Sequence, residues 1–294
     1  VPSPLAWNYR NTIQFSLSAD GRLGFQRPAS HVIEPITECH LPEEGIAELW
    51  PALDIGPDSG IERLELRQGA GGDVLGLLEG EHTPDLNLEL PISVVQHTPE
   101  GEFVLAGDDH LVMEVNGRPF RVSAGAFFQV NTSMAGKMVT CLLENLHVSN
   151  NTTMLDLYCG GGLFSAFFAG QVKKLVGMEA SPAACEDFSL NLDEFDNVEL
   201  YQAAVEEALP HLDLQPEVVI LDPPRAGLDR RVIDALLAMM PARIAYVSCD
   251  PATLARDASR LLAGGYQLAE ITPFDMFPQT YHIESLSIFT TSNT

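Results

Sequence analysis

Cys249 is the residue of this sequence best placed to act as a nucleophile. It lies in Ser248-Cys249-Asp250-Pro251, after the apolar run RIAYV and before a stretch predicted to be helical from Ala252. A thiolate near a helix N-terminus is favoured by unpaired backbone N–H groups, so we expect the pKa of Cys249 to be lowered. Cysteines are most often small buried apolar residues, but the position at a strand end favours the reactive interpretation.

Glu284 is the candidate general base. It ends the segment FPQTYHIE (residues 277–284) and precedes the apolar run SLSIFT, which is predicted to be a strand. A carboxylate flanked by apolar residues tends to have a raised pKa, which suits proton abstraction. His282 is a second candidate, either to orient Glu284 or to contact a substrate, and a purely structural role for this histidine is the alternative.

A glycine-rich turn lies at the end of an earlier apolar run, in DLYCGGG (residues 156–162). Gly160 and Gly162 allow the backbone to turn tightly and to approach a ligand at a helix N-terminus. The turn lacks the GxGxxG pattern of dinucleotide-binding proteins. Asp156 before it suits the zwitterionic amino acid part of S-adenosylmethionine, and Glu179, at the end of the next predicted strand, suits its ribose hydroxyls. A structural glycine turn is the alternative.

The segment Asp222-Pro223-Pro224-Arg225 follows the apolar run EVVIL. Two prolines stiffen the chain just past a strand end, where the active sites of open parallel sheets lie. Methyltransferases that act on the amino group of adenine typically have an aromatic residue where Arg225 stands. The sequence therefore indicates a different target, unless the segment is only a structural turn.

Two patterns of elements divide the chain. Residues 1–120 read as β-rich, with a hairpin around Asp20-Gly21, a short amphipathic helix in LPEEGIAELWPAL and strands on both sides of a turn at 69–72. From residue 121 onwards, apolar runs that end in Asp, Glu, Cys or Gly alternate with helical stretches. This alternation predicts an α/β domain over residues 121–294, with a parallel sheet covered by helices on both faces.

Composition limits the classes of protein. The chain has 16 Lys and Arg against 41 Asp and Glu, a net charge of −25, which by itself argues against binding to a phosphate backbone. Five cysteines without a CxxC pair argue against a disulfide framework and a self-contained zinc site, so no metal is expected. No apolar run is long enough to span a membrane. A soluble, cytoplasmic protein without an obligate protein partner is expected.

Four motifs stand in one order along the chain: FFQVN (127–131), DLYCGGG (156–162), DPPRAG (222–227) with SCDPATLARD (248–257), and FPQTYHIE (277–284). Together they resemble the RNA uracil-5 methyltransferase family, whose members make 5-methyluridine in transfer and ribosomal RNA. The resemblance covers about residues 121–294, with a weaker likeness at residues 9–11. It implies a Rossmann-like S-adenosylmethionine methyltransferase domain and a smaller β-rich N-terminal domain that contacts RNA.

The resemblance also implies a role for each matching position. Cys249 would attack carbon 6 of the uracil, which makes carbon 5 nucleophilic towards the methyl group, and Glu284 would then remove the proton from carbon 5. No metal is needed for this chemistry. The cofactor would be contacted by Gln129, Tyr158, Glu179 and Asp222, in addition to Asp156, Gly160 and Gly162 of the turn. RNA, either rRNA or tRNA, is the expected substrate.

The sequence departs from the family at several positions. Asp250 stands where many relatives have Asn, Gln279 where they have His, and Ala204 where several have a polar side chain. Cys39 resembles the last of four iron–sulfur ligands found in some relatives, but its partners would lie before Val1, as would an RNA-binding barrel. Of the visible basic residues, four arginines are expected to form a local face for phosphate: Arg10, Arg22, Arg27 and Arg256.

Three other functions stay open. One is methylation of cytosine 5 in RNA, which the absence of a Pro-Cys dipeptide disfavours. Another is methylation of a small molecule. The third is a non-catalytic RNA-binding module, which the presence of both Cys249 and Glu284 disfavours.

Overall fold

A computed structural model describes residues 1–81 and 91–291. These residues divide into two compact units. The N-terminal unit comprises Leu5–Gly125 and Gln129–Thr132. The C-terminal unit comprises Val1–Pro4, Ala126–Phe128 and the chain from Ser133 onwards.

The described part of the N-terminal unit contains a seven-stranded sheet in the order β3-β2-β1-β4-β5-β6-β7. Neighbouring strands are antiparallel except for the parallel pair of β5 and β6. A helix, α1 (Glu44–Leu49), continues into a 3-10 turn at Trp50–Ala52. The strands are β1 (Thr12–Leu17), β2 (Leu23–Gln26), β3 (Ile33–Pro35), β4 (Ile61–Gln68), β5 (Val74–Gly80), β6 (Ser93–Thr98) and β7 (Gly101–Ala106), with a separate hairpin of β8 (His110–Val115) and β9 (Arg118–Ser123).

The local predictions for this unit are confirmed. The hairpin at Asp20-Gly21 joins β1 to β2, and Gly21 has a φ of +78°, which a residue with a side chain rarely adopts. The amphipathic helix is α1, which buries Ile46 in the core beside the sheet. The predicted domain boundary between residues 120 and 121 falls inside β9, whose pairing with β8 keeps both strands in the N-terminal unit.

The described part of the C-terminal unit is also built on a seven-stranded sheet, in the order β12-β11-β10-β13-β14-β16-β15. The strands are β10 (Thr153–Leu157), β11 (Lys174–Glu179), β12 (Val198–Gln202), β13 (Val218–Leu221), β14 (Arg243–Ser248), β15 (Tyr266–Phe274) and β16 (Glu284–Thr291). The helices are α2 (Thr132–Leu146), α3 (Leu163–Phe168), α4 (Pro182–Asn191), α5 (Val205–Ala208), α6 (Arg230–Met239) and α7 (Pro251–Ala263), with 3-10 turns at Ala169–Gln171 and Leu209–His211.

The strands β10 to β14 are parallel, as the alternation of strands and helices predicts. All four residues of β13 are buried, as expected for a central strand of a sheet that is covered on both faces. The last two strands differ, since β16 runs antiparallel to both β14 and β15. In the part of the chain that the structure describes, no helix is both long and apolar enough to cross a membrane.

Candidate functional site

The carboxyl ends of three neighbouring strands, β11, β10 and β13, meet at one edge of the C-terminal sheet. In the register of the sheet, Leu157 at the end of β10 pairs with Met178 of β11 and with Leu221 of β13. The next residue of each strand is therefore Tyr158, Glu179 or Asp222. The structure thus brings these three predicted site residues together, at the edge where open parallel sheets bind ligands.

The glycine-rich turn has an unusual backbone. Tyr158, Gly160 and Gly162 have φ angles of +62°, +52° and +85°. Gly162 is also crowded, since a Cβ there would overlap the side chain of Leu192. A tyrosine with a left-handed backbone is strained, and such strain is typical of ligand-binding turns.

Asp156 lies inside strand β10 and is completely buried. Its Oδ2 atom accepts hydrogen bonds from the backbone N–H (3.1 Å) and the hydroxyl (2.7 Å) of Ser165. Its Oδ1 atom has no partner among the described residues. Burial raises the pKa of Asp156 to about 7, against the opposing hydrogen bonds from Ser165. The free oxygen leaves this carboxylate able to accept a hydrogen bond from a cation.

Replacing Asp156 with asparagine is expected to flatten the dependence of stability on pH. The folded-state pKa of about 7 exceeds the ordinary value of 3.8. The contribution of the Asp156 carboxyl to the free energy of unfolding is therefore complete below pH 3.8 and is lost as the pH rises to about 7. This loss is roughly 4 kcal/mol at most, and it does not occur with asparagine, which does not ionise. Urea unfolding of both proteins between pH 4 and pH 8, without ligand, measures the difference. Equal pH dependence would contradict the shift.

Glu179 connects its strand to the glycine-rich turn. Its Oε2 accepts a hydrogen bond from the backbone N–H of Gly160 at 3.0 Å. Its Oε1 accepts from the N–H groups of Ala180 and Ser181, both at 2.8 Å. The carboxylate therefore holds the turn in place, and a carboxylate has capacity for further donors such as hydroxyl groups.

Cys249 and Glu284 lie opposite each other on adjacent antiparallel strands. Ser248 pairs with Ser285 at the ends of β14 and β16, so the next position of the register places Cys249 beside Glu284. Opposed residues of an antiparallel pair have Cβ atoms about 5 Å apart. Cys249 is half-buried and Glu284 is 7% exposed. The two residues predicted for the chemistry are thus brought together.

The expectation that the pKa of Cys249 is lowered is wrong. Burial raises the pKa of this thiol, the carboxylate of Glu284 adds to the increase, and the Arg225 guanidinium opposes it. The N-terminus of α7 does not compensate, because Asp250 caps it. The Asp250 Oδ1 accepts from the N–H groups of Ala252 (2.9 Å) and Thr253 (2.8 Å).

The expectation that the pKa of Glu284 is raised is confirmed. Burial raises it to about 7, and the Arg225 guanidinium opposes the increase. Burial also raises the pKa of Asp222, with further contributions from Glu284 and Asp156. Burial is thus the main cause of both shifts, and neighbouring carboxyl groups add to the shift of Asp222 only. A carboxyl group with a pKa near 7 is suited to exchange protons at neutral pH.

Arg225 brings a positive charge close to Cys249 and Glu284. Its Nη2 atom lies 3.4 Å from both ring nitrogens of His282. Its charge lowers the pKa of the Asp250 carboxyl, after the larger contributions of the hydrogen bonds at the helix N-terminus. Within the described residues, no carboxylate lies within ion-pair distance of this guanidinium.

Asp257 is a buried residue of the site that sequence reasoning missed. Its Oδ2 accepts hydrogen bonds from the N–H of Leu228 (2.8 Å) and the hydroxyl of Tyr246 (3.0 Å), and its Oδ1 accepts from Nε of Arg256 (2.8 Å). Arg256 Nη2 also donates to the carbonyl of Ala226 at 2.9 Å. These bonds attach the segment that follows Asp222 to α7 and β14. The available signal was the charged pair Arg256-Asp257 in SCDPATLARD, within the stretch predicted to be helical from Ala252.

Gln129 belongs to the N-terminal unit, where its carbonyl accepts a hydrogen bond from Nδ2 of Asn11 at 2.9 Å. The basic face of four arginines stays a prediction. Three of them are paired with carboxylates: Arg22 with Asp20, Arg27 with Glu34 and Arg256 with Asp257.

Over residues 1–81 and 91–291, no cluster of three or more His, Cys, Asp or Glu side chains could hold a metal.

Comparisons with known proteins agree with the geometry. The family model for tRNA (uracil-5-)-methyltransferases matches residues 86–291. An uncharacterized RNA methyltransferase of Streptomyces coelicolor is 35% identical over 98% of this chain and 65% of its own length. A second one, from Streptomyces avermitilis, is 34% identical over 96% of this chain and 67% of its own length. The chain thus spans about two thirds of these curated relatives.

A solved structure is similar over nearly the whole chain. It is the Pyrococcus abyssi tRNA (uracil-54, C5)-methyltransferase in complex with S-adenosyl-L-homocysteine, with a TM-score of 0.78 and 25% sequence identity. The similarity covers 99% of this chain and 78% of that one. Taken with the match of the family model over most of the sequence, this means that the chain belongs to the tRNA (uracil-5-)-methyltransferase family.

Proposed function

We propose that this protein transfers a methyl group from S-adenosylmethionine to carbon 5 of a uridine in RNA, either rRNA or tRNA. The observation that carries the proposal is the register of β14 and β16, which sets Cys249 opposite the buried Glu284. A nucleophile and a base side by side are what this substitution on a pyrimidine requires. Membership of the family and the strand-end position of both residues support the same reaction.

The residues at the sheet edge fit S-adenosylmethionine. The unpartnered Oδ1 of buried Asp156 is suited to a cationic amino group, and Glu179 at the end of β11 is suited to ribose hydroxyls. The related Pyrococcus abyssi enzyme was solved with S-adenosyl-L-homocysteine. We assign the cofactor to the seven candidate residues Gln129, Asp156, Tyr158, Gly160, Gly162, Glu179 and Asp222. When bound, the cofactor supplies an electrophilic methyl group.

The reaction begins at Cys249. Its thiol must lose a proton to solvent, and the guanidinium of Arg225 favours the thiolate that results. The thiolate adds to carbon 6 of the uracil, and the electrons of the C5–C6 double bond move onto the carbonyl at carbon 4, which forms an enolate whose carbon 5 is nucleophilic. Carbon 5 then accepts the methyl group while still carrying its own proton.

Glu284 completes the reaction. Its carboxylate accepts the proton from carbon 5, the double bond of the ring re-forms, and the Cys249 thiolate leaves carbon 6. A pKa of about 7 allows Glu284 to accept a proton and to return it to solvent near neutral pH. The thiolate is regenerated, so the protein is unchanged after each turnover.

The proposal is tested by incubating the protein with RNA and a cofactor that carries a labelled methyl group. The expected product is 5-methyluridine, identified by mass spectrometry of nucleosides and placed in the RNA by fragment mapping. Label in 5-methylcytidine would indicate the cytosine-5 reaction instead. Label in small molecules alone, or in no product, would overturn the proposal.

RNA binding is expected to depend on salt, with Arg225 as one phosphate contact. This guanidinium has no ion-pair partner in the described part of the chain, whereas Arg231 is paired with Asp229 at 3.1 Å. We expect Arg225→Gln to reduce the slope of log affinity against log salt by about 0.7, the value for one phosphate of a single strand. Filter binding at several salt concentrations measures it, with Arg231→Gln as the control. An unchanged slope would exclude the phosphate contact.

A further inference from the structure

We propose that Tyr281 is a stacking platform for a nucleobase of the RNA substrate, adjacent in the RNA to the reactive uridine. The inference rests on the proposed function and adds a binding contact that the chemistry itself does not use. Tyr281 lies on the loop of residues 277–283, which precedes β16, so the stacked nucleotide lies close to Glu284.

The exposure of Tyr281 is the first observation. The side chain is 87% exposed, whereas Tyr9, Tyr246 and Tyr266 are each at most 3% exposed. Because the ring of Tyr281 is exposed to water, it contributes little hydrophobic stabilisation to the fold. A flat, exposed ring is however well suited to stack on a base, since every nucleobase presents an aromatic face.

Tyr281 is also the outermost ring of an ordered array. Its ring centroid lies 4.2 Å from that of His282, with the two planes inclined at 42°. His282 in turn meets the edge of Phe277, at 5.8 Å and 71°. The Arg225 guanidinium lies 3.4 Å from both nitrogens of the same imidazole. The array therefore supports one side of Tyr281 and leaves the ring open on another.

The loop backbone holds this array in position. The backbone N–H and the hydroxyl of Thr280 both donate to the carbonyl of Phe277, at 3.1 and 2.7 Å. The Thr280 hydroxyl oxygen accepts from the N–H of His282 at 3.2 Å. A loop backbone held in this way loses little conformational entropy on binding, which favours the use of its side chains as a contact surface.

The proposed reaction creates the need for such a platform. A thiolate attacks carbon 6 from above or below the plane of the pyrimidine, so the uridine must leave its stack before Cys249 can reach it. Its departure uncovers the face of a neighbouring base. Tyr281 stands three residues before Glu284, so its ring is the one we assign to that face. Arg225, in contact with the adjacent His282, supplies positive charge for the phosphate between the two nucleotides.

The contact is tested with a short RNA that contains the mapped uridine, flanked by 2-aminopurine at one neighbouring position at a time. We expect Tyr281→Ala to raise KM for RNA by about 10-fold, with kcat and cofactor affinity within twofold of the original protein. Tyr281→Phe should retain the original KM. Binding should quench 2-aminopurine at one flanking position with tyrosine or phenylalanine and not with alanine.

Ile271→Ala is the matched control, since Ile271 is also a large exposed apolar residue, on β15, with 53% exposure. It should leave KM and quenching unchanged. A KM for Tyr281→Ala within twofold of the original value, or a Tyr281→Leu variant equal to Tyr281→Phe, would overturn the stacking contact alone. If the original protein methylates no RNA, the proposed function fails and the stacking inference fails with it.

Discussion

Replacing Cys249 with alanine is expected to abolish methyl transfer to RNA and to leave the affinity for S-adenosylmethionine within about twofold. The reason is that the thiol attacks the base, and none of the seven residues assigned to the cofactor lies on β14 or β16. Loss of a covalent nucleophile typically lowers the rate by a factor of ~10³ or more. Incorporation of labelled methyl groups into RNA and calorimetric titration of the cofactor measure the two effects separately.

Cys141→Ala provides the matched control. Cys141 is, like Cys249, a half-buried free thiol, but it lies on α2, near Glu270 and Thr272 of β15. We expect this variant to retain full activity. Methyl transfer by Cys249→Ala at a rate comparable to that of the control would mean that catalysis does not proceed through this cysteine.

Replacing Glu284 with glutamine is expected to trap a covalent complex between protein and RNA. Addition of Cys249 and transfer of the methyl group both precede removal of the proton from carbon 5. Glutamine keeps the shape of the side chain and its hydrogen bonding but cannot accept that proton. The variant should therefore stop with a methylated RNA bound to Cys249, visible as a slowly migrating band in denaturing electrophoresis.

Two further variants identify the trapped species. Adding Cys249→Ala to Glu284→Gln should remove the band, because no bond to carbon 6 can form. Glu270→Gln should behave as the original protein, since Glu270 lies on β15, where it accepts a hydrogen bond from Thr272. Repeated turnover by Glu284→Gln without a trapped complex would assign the proton to another base, with His282 as the next residue to test.

Much of the fold could be predicted because its signals are local. Short apolar runs that end in Asp156-Leu157, Glu179, Asp222 and Cys249 mark parallel strands and the edge where their ends meet. The pairing of β14 with β16 is different, because Cys249 and Glu284 are 35 residues apart and the sequence contains no signal for their register. The antiparallel direction of β15 and β16 depends on the same long-range packing.

The error on the pKa of Cys249 has a physical cause that sequence alone conceals. The helix N-terminus was correctly placed, but its free N–H groups are taken by Asp250, and Glu284 arrives from a distant part of the chain. Asp257 was missed for the same reason. Its partners Leu228 and Tyr246 come from other elements, and only the folded chain brings them to one carboxylate.

The hydrogen bonds of Asp257 also restrict the motion of the segment that carries Arg225. The N–H of Leu228 donates to the completely buried carboxylate of Asp257. This amide can exchange its hydrogen with water only if the carboxylate is exposed at the same time. We therefore expect exchange of the Leu228 amide to be as slow as that of the central strands, although its segment lies outside any helix or strand. The loop that carries Arg225 is then already ordered before RNA arrives. Association with RNA consequently incurs little entropic cost at this loop.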